Sequence, residues 1–323
     1  MTSALQSAHW GEHGRWFWQG HGCHWRCLGP EHGPAVLLLH GFGASSAHWR
    51  RCAPLLASRG YRVYALDLIG FGASSQPGYH SSRPVDNRLW GRQVIGFMQE
   101  VVQRPCVLMG NSLGGLTALT AALLKPELVT AVVAAPLPDP ALMQPVPRRR
   151  PPASRRLQRL LVVGLLRLLP LELIVPLISR TPLLQAGLQG AYRRSVANDR
   201  ELLQLIAAPA RRATAARSLR AMSIGMALRP RGATAPALLG QLNGRLPLLL
   251  VWGRQDRFVP LAIGRTTAER HPWLSLQVID QTGHCPHDET PDAFLQAVLP
   301  WLDRSLDAVS YTHLDAADEE DSV

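Results

Sequence analysis

One pentapeptide constrains the fold of this chain more than any other feature of its sequence. Residues 110–114 are Gly-Asn-Ser-Leu-Gly, which places Ser112 two positions from a glycine on each side. The apolar run at 107–109 predicts a buried strand before the pentapeptide, and the apolar run at 116–124 predicts a buried helix after it. A serine at a sharp turn between a strand and a helix is typical of an enzyme nucleophile.

The glycines of this turn have a steric role. A serine held on such a turn has a strained backbone, and side chains at Gly110 and Gly114 would clash across it. Gly115 allows the following helix to pack close to the strand. The free N–H groups at the start of that helix then point toward the serine, where they favour negative charge. We therefore predict that the Ser112 hydroxyl lies above the edge of a sheet.

A serine nucleophile needs a base, and the base needs an acid that orients it. In chains with this type of turn, the acid and then the histidine follow the serine in sequence. Asp256 follows a predicted strand at 246–252, and His284 follows a predicted strand at 274–279. Because the carboxyl ends of parallel strands share one edge of the sheet, we expect these residues to form a catalytic triad.

An attacked carbonyl also needs two backbone donors for the oxyanion that forms on it. The N–H of Leu113, directly after the serine, is the first candidate. The N–H of Phe42 is the second, because residues 40–43 are His-Gly-Phe-Gly and follow a predicted strand at 35–39. The alternative is that Phe42 is an ordinary core aromatic.

Strands and helices alternate along most of the chain, which predicts an α/β fold with a mostly parallel sheet flanked by helices. Prolines and a run of arginines then interrupt this order, and Leu, Ala and Arg follow at helical spacing. We assign residues 1–136 and 246–309 to the core, and residues 137–245 to a helical lid inserted after the sixth strand. The acidic tail at 310–323 is predicted to be disordered or foreign to the protein.

The positive charge of the chain is concentrated in the predicted lid. The whole chain has a formal net charge of +11, and residues 137–245 hold 18 arginines but only four acids, a net +14. The chain has a single lysine, Lys125, and the basic segment is leucine-rich, which argues against a nucleic-acid partner. A basic, leucine-rich segment fits peripheral contact with an anionic membrane. Prolines and charges interrupt residues 157–179, so no membrane span is predicted there.

The cysteines of the chain bear on its cellular compartment and on whether it binds a metal. The five cysteines are an odd number, and the first 30 residues contain no apolar signal segment, so a cytoplasmic protein without disulfides is expected. The Cys and His residues at 21–27 could form half of a zinc site, but no second pair lies nearby, and a hairpin strand is the favoured interpretation. No metal or organic cofactor is predicted, and oligomeric state has no signal in the sequence.

These elements resemble the α/β-hydrolase superfamily over residues 16–306. Three segments are similar to pheophytinases, the esterases that remove phytol from pheophytin: Leu-Trp-Gly-Arg-Gln-Val at 89–94, Gly-Asn-Ser-Leu-Gly-Gly at 110–115 and Gly-His-Cys-Pro-His-Asp-Glu at 283–289. The resemblance implies Ser112 as nucleophile, His284 as base and Asp256 as acid. It also implies an apolar substrate, a phytyl-type pigment ester.

Three alternatives remain at this stage. The first is a carboxylesterase or lipase-like enzyme for other esters, and the second is a hydrolase of carbon–carbon bonds. The third is a protein of the same fold that binds a ligand without catalysis, which the intact Ser, Asp and His argue against.

Overall fold

The computed structural model describes residues 9–143 and 152–320, which contain one eight-stranded sheet. Its strands are β1 (Glu12–Trp18), β2 (His21–Leu28), β3 (Ala35–Leu39), β4 (Arg62–Leu66), β5 (Cys106–Asn111), β6 (Val129–Ala135), β7 (Leu248–Gly253) and β8 (Ser275–Ile279). They lie in the order β1-β2-β4-β3-β5-β6-β7-β8. β1 and β2 form an antiparallel hairpin, β2 pairs antiparallel with β4, and all remaining pairs are parallel. The predicted α/β fold is confirmed.

Twelve α-helices accompany this sheet within the described ranges. Before β6 come α1 (Ala53–Ser58), α2 (Asn87–Phe97) and α3 (Leu113–Leu124). Between β6 and β7 come α4 (Pro152–Leu168), α5 (Leu171–Arg180), α6 (Pro182–Ala191), α7 (Arg200–Ala210), α8 (Ala215–Leu228) and α9 (Ala235–Leu242). After β7 come α10 (Leu261–Arg270), α11 (Pro286–Glu289) and α12 (Pro291–Glu320).

The central strands are continuously apolar because helices cover both faces of the sheet. All five residues of β3 are buried. Leu37 and Leu39 belong to the core that includes residues of α2 and α3, whereas Val36 and Leu38 belong to the core that includes residues of α1 and α12. Alternate side chains of one strand thus enter opposite cores, which explains why this strand lacks the alternating pattern of a half-exposed sheet.

The insertion after β6 is helical, as its composition suggested, but its parts pack differently. α4 packs on α8, and α5 packs on α6, α7 and α8. α9 packs instead on α3 and contributes Leu238 and Leu239 to the main core. The last helix of the predicted lid therefore belongs to the core by its contacts.

None of the helices in the described ranges is, on its own, both long and apolar enough to cross a bilayer. The segments Arg159–Leu168 and Leu171–Arg180 meet the length and composition criteria only as a pair, and they are bent by 57° at the break between them.

The last helix, α12, continues to Glu320 and so enters the tail that is predicted to be disordered or foreign to the protein. Residues 310–320 are therefore helical, while residues 321–323 lie outside the described residues. Alanine, leucine and glutamate favour helix, and extending an existing helix avoids the cost of nucleating a new one. The disorder or foreign origin of residues 310–323 stays a prediction.

Candidate active site

Ser112 occupies a strained turn between β5 and α3. Its φ is +54° and its ψ is −117°, a backbone conformation that residues other than glycine rarely adopt. A Cβ atom on Gly110 would lie 2.2 Å from the carbonyl carbon of Gly114, and one on Gly114 would lie 2.1 Å from the carbonyl oxygen of Leu39. Both positions can hold only glycine without moving backbone, so the steric argument made from the pentapeptide has a direct geometric basis.

Asp256 and His284 form a buried hydrogen-bonded pair after β7 and β8. Oδ2 of Asp256 lies 2.9 Å from Nδ1 of His284, and the Asp256 side chain is fully buried. Oδ1 of Asp256 accepts the backbone N–H groups of Phe258 at 2.8 Å and Val259 at 2.9 Å. Because a carboxylate only accepts hydrogen bonds, Nδ1 of His284 must carry the hydrogen. Nε2 of a neutral His284 is then free to accept a proton.

The turn and the pair meet at the carboxyl edge of the parallel strands. The amide Nδ2 of Asn111, the residue before Ser112, donates to the carbonyl oxygen of His284 at 3.0 Å and to that of Ala135 at 2.6 Å. The described residues offer the Ser112 hydroxyl no hydrogen bond of its own. Such bonds are often loose without substrate and tighten when it binds.

The two backbone donors predicted for an oxyanion also lie at this edge. A Cβ atom on Gly41, next to Phe42, would be 3.3 Å from Cβ of Ser112, so the loop after β3 lies against the serine. Within the described ranges, neither the N–H of Phe42 nor that of Leu113 donates to a backbone carbonyl. The Phe42 side chain is 61% exposed, which rules out the alternative of an ordinary core aromatic.

His40 fixes the loop that carries Phe42, a contribution that the sequence did not reveal. Its Nδ1 lies 2.8 Å from the carbonyl oxygen of Gly41, and its Nε2 accepts the N–H of Leu68 at 3.0 Å. Burial lowers the pKa of His40, which keeps the ring neutral and its two roles distinct. Asn111 also supports the site in a way that the sequence did not reveal. It lies at one of the two unspecified positions of the Gly-x-Ser-x-Gly pattern.

Backbone contacts from the helical insertion hold the loop that carries His284. The N–H of His284 donates to the carbonyl oxygen of Ala191, at the end of α6, at 2.7 Å. Glu289 accepts the N–H of Gly283 on one carboxylate oxygen and the N–H of Arg194 on the other, both at 2.6 Å. One carboxylate thus ties the histidine loop of the core to the segment after α6.

A buried ionic cluster reinforces the same junction. Arg50, which is 2% exposed, donates to Asp288 at 3.0 Å and to Asp199, the N-cap of α7, at 2.6 Å. The Tyr192 hydroxyl donates to Asp288 at 2.9 Å and accepts from Nε2 of His48 at 2.7 Å. The cluster therefore joins the loop after β3, the insertion and α11.

Burial and charge pull the pKa values of this cluster in opposite directions. Burial favours the neutral form of Asp288, but His48 and Arg50 beside it outweigh burial and hold the pKa of its carboxyl below the ordinary value. Burial lowers the pKa of His48 to about 4, so its ring is neutral near pH 7. Burial also lowers the pKa of His287, which packs against the Trp49 ring at 4.2 Å. The neighbouring Cys285 is buried in the small apolar cluster that also contains Tyr192 and Val196.

We expect the Arg50→Met variant to lose about 3–5 kcal/mol of unfolding free energy, because it removes the main cation from two buried carboxylates. Urea denaturation measures this loss. The Arg220→Met variant is the matched control, since its partner Glu172 is 59% exposed and the loss should be far smaller. Equal losses for the two variants would contradict the assignment of Arg50 to the junction.

Exposed aromatic side chains border the site. Phe258 is 55% exposed, its ring centroid lies 5.4 Å from that of His284, and it packs against Gly190 of α6. Phe42 is held edge-on against Phe71 at 5.7 Å. The site is thus apolar at its border and polar at its centre.

A separate cavity of about 890 Å³ lies between β1, β2 and α7, and neither Ser112 nor His284 lines it.

Comparison with known proteins shows to which family this chain is similar. The sequence profile described as the Alpha/beta hydrolase family matches residues 36–297. The 2-hydroxy-6-oxo-6-phenylhexa-2,4-dienoate hydrolase of Burkholderia cepacia is 29% identical over 84% of this chain and 88% of that protein. The chloroplastic pheophytinase of Arabidopsis thaliana is 27% identical over 83% of this chain and 61% of that protein. A pimeloyl-[acyl-carrier protein] methyl ester esterase of Aeromonas hydrophila is 29% identical over 82% of this chain and 94% of that protein.

The three relatives are almost equally similar to this chain, and their names are those of a dienoate hydrolase, a pheophytinase and a methyl ester esterase. Sequence similarity therefore supports hydrolysis at the level of the family and does not single out pheophytinase. The family match runs from β3 into α12 and covers most of the chain. The chain therefore belongs to the α/β hydrolase family.

Proposed function

We propose that this protein is a serine hydrolase that cleaves carboxylic esters through an acyl-enzyme. One observation carries the proposal: the 2.9 Å contact between Asp256 and His284 leaves Nε2 of the histidine free at the edge where the strained Ser112 turn lies. A serine hydroxyl is a weak nucleophile at neutral pH, and a neutral imidazole with a free nitrogen is the base that activates it.

In the first half of the proposed reaction, Nε2 of His284 takes the Ser112 proton while Oγ attacks the ester carbonyl. The N–H groups of Leu113 and Phe42 stabilise the oxyanion, and the imidazolium then protonates the leaving alcohol. In the second half, water loses a proton to His284 and attacks the acyl-enzyme, which releases the acid and restores the Ser112 hydroxyl. Asp256 holds the tautomer throughout.

For the substrate, we propose an ester with a large apolar group, of the phytyl type found in pheophytin-like pigments. The exposed rings of Phe42 and Phe258 beside the site would contact such a group. The segment at 283–289 and the 27% identity to pheophytinase support the same choice.

The second candidate is hydrolysis of a carbon–carbon bond, which the 29% identity to the Burkholderia cepacia dienoate hydrolase favours. It would use the same three residues on a substrate with carboxylate and keto groups. The exposed rings of Phe42 and Phe258 at the border of the site suit an apolar group better than a carboxylate, which makes the ester the better match.

A substrate panel separates these proposals. The purified protein is assayed with pheophytin in detergent, with p-nitrophenyl esters of short and long acids, and with a 2-hydroxy-6-oxohexa-2,4-dienoate. We expect kcat/KM for pheophytin to exceed that for p-nitrophenyl acetate by at least about tenfold, since apolar contact adds transition-state binding.

Each other outcome has a distinct meaning. Turnover confined to short esters would overturn the pigment substrate and leave the esterase proposal intact. Turnover confined to the dienoate would replace ester cleavage with carbon–carbon cleavage. Failure of a fluorophosphonate probe to label the protein would contradict catalysis by serine altogether.

A further inference from the structure

The first two helices of the insertion expose an unusual number of leucines. On α4, Leu160, Leu161, Leu165 and Leu168 are 63–83% exposed, and on α5, Leu173 and Leu177 are 73% and 58% exposed. We call these six residues the leucine face. Leu161, Leu165 and Leu168 on α4, and Leu173 and Leu177 on α5, recur at steps of three or four positions, which places them along one side of each helix, and Leu160 lies directly before Leu161.

This face is not a core surface that happens to be loosely covered. α4 and α5 already pack on α8, and residues such as Leu171 and Ser179 of α5 are buried. The leucine face is the side left over, and exposed leucines in this number on neighbouring helices mark an interaction site in a folded protein. The question is what covers it.

Charge around the leucine face indicates its partner. Between residues 140 and 198 the sequence holds ten arginines and one acid, Glu172. That acid is neutralised by Arg220, which donates to both of its carboxylate oxygens, at 2.6 and 2.8 Å. Arg167 of α4 and Arg180 of α5 are exposed among the leucines. Apolar side chains bordered by arginines complement a surface that offers hydrocarbon below and negative charge above.

The shape of the two helices fits a bilayer surface better than a bilayer span. α4 has 17 residues and α5 has 10, each short of the roughly 20 needed to cross the hydrocarbon. The two helices are bent by 57° at the break between them, where Pro170 precedes α5. A bent pair with leucines on its outer side can lie in the plane of the headgroups, with the leucines at the acyl boundary.

We propose that the leucine face docks on a lipid bilayer with anionic headgroups, with Arg167 and Arg180 at the phosphates. The proposal does not depend on ester hydrolysis. The opposite end of the insertion, at Ala191 and Tyr192, stays fixed to the core by the junction around Arg50.

Vesicle flotation tests the docking surface without any assay of activity. The full chain is mixed with vesicles of phosphatidylcholine alone, or of phosphatidylcholine with an equal amount of phosphatidylglycerol, at low salt and at about 1 M salt, where charge interactions are screened within about 3 Å. We expect flotation with the anionic vesicles at low salt, less at high salt, and little with phosphatidylcholine alone.

Variants locate the contact on the molecule. The double variant Leu161→Asp/Leu165→Asp should lower the partition into anionic vesicles at least about tenfold, because it places two charges where the docked protein would bring apolar side chains to the acyl boundary. The control Phe17→Asp changes an equally exposed apolar side chain on β1, 75% exposed, and should leave the partition unchanged. Circular dichroism and turnover of a soluble short ester check that both variants fold.

Three outcomes would overturn the proposal. The first is no flotation with either vesicle, and the second is equal loss of flotation for the Phe17→Asp control. The third is a double variant that floats normally but has half the mass of the parent protein by analytical ultracentrifugation, which would assign the leucine face to a second copy of the chain.

Discussion

Replacing Ser112 with alanine should lower kcat for an ester substrate by about 10⁵-fold or more, since a triad without its nucleophile retains only binding and oxyanion stabilisation. The fold should survive, because the described residues give the Ser112 hydroxyl no partner whose loss would leave a buried group unpaired. Unfolding free energy should change by no more than about 0.5 kcal/mol. Steady-state kinetics and urea denaturation of the same preparation measure both quantities.

The Ser58→Ala variant is the matched control for this experiment. Ser58 lies at the exposed end of α1, where its hydroxyl donates to the carbonyl oxygen of Leu55 at 2.8 Å, far from the proposed nucleophile in sequence and on another element. It should retain full activity and full labelling by a fluorophosphonate probe. Equal labelling of the parent protein and Ser112→Ala would show that another group is the nucleophile.

The Asp256→Asn variant should lower kcat by about 10⁴-fold while leaving the fold in place. The structure gives a specific reason for so large an effect. Oδ1 of Asp256 accepts two backbone N–H groups, so an asparagine must direct its own carbonyl oxygen there and its NH₂ group toward His284. That NH₂ group donates to Nδ1, which places the imidazole hydrogen on Nε2. A protonated Nε2 cannot accept the Ser112 proton.

The same kinetic assay and a pH profile from about pH 5 to 9, which brackets the ordinary histidine pKa, measure this effect. The Asp280→Asn variant is the control, because Asp280 precedes the His284 loop but its side chain is 67% exposed and pairs with Arg254 at the surface. It should keep nearly the activity of the parent protein. A small loss in Asp256→Asn would mean that a different acid orients the histidine.

Much of the fold could be predicted because the sheet is buried on both faces. β3 was located at its observed ends since five consecutive apolar residues have no other stable environment in a chain of this length. That Ser112, Asp256 and His284 lie at the same edge of the sheet could be predicted for a related reason. Each follows a parallel strand, and strand ends converge at one edge whatever the length of the connections between them.

The groups that hold this site in place could not be predicted. Arg50 and Asp288 are 238 positions apart, and an isolated arginine after a helical turn has no periodicity that signals a buried partner. Asn111 and His40 occupy positions beside recognised glycines, and only the final packing reveals which carbonyls they contact.

The segment at 283–289 illustrates how a family pattern acquires physical meaning. Gly283 must lack a side chain, because a Cβ atom there would lie 2.6 Å from the carbonyl oxygen of Ala191. Asp288 neutralises Arg50, and Glu289 accepts the two N–H groups that join the loop to the insertion. The conspicuous residues of this run therefore support the loop that carries His284.

The insertion is not an exchangeable module, because part of its backbone supports the base. The carbonyl oxygen of Ala191 and the N–H of Arg194 are both committed to the loop that carries His284. A chimera that replaced residues 137–245 with the insertion of a relative, in order to change substrate selectivity, would also replace the residues that make these contacts. Recombination at this site has to keep residues 191–201 and treat only the helices before them as the variable part.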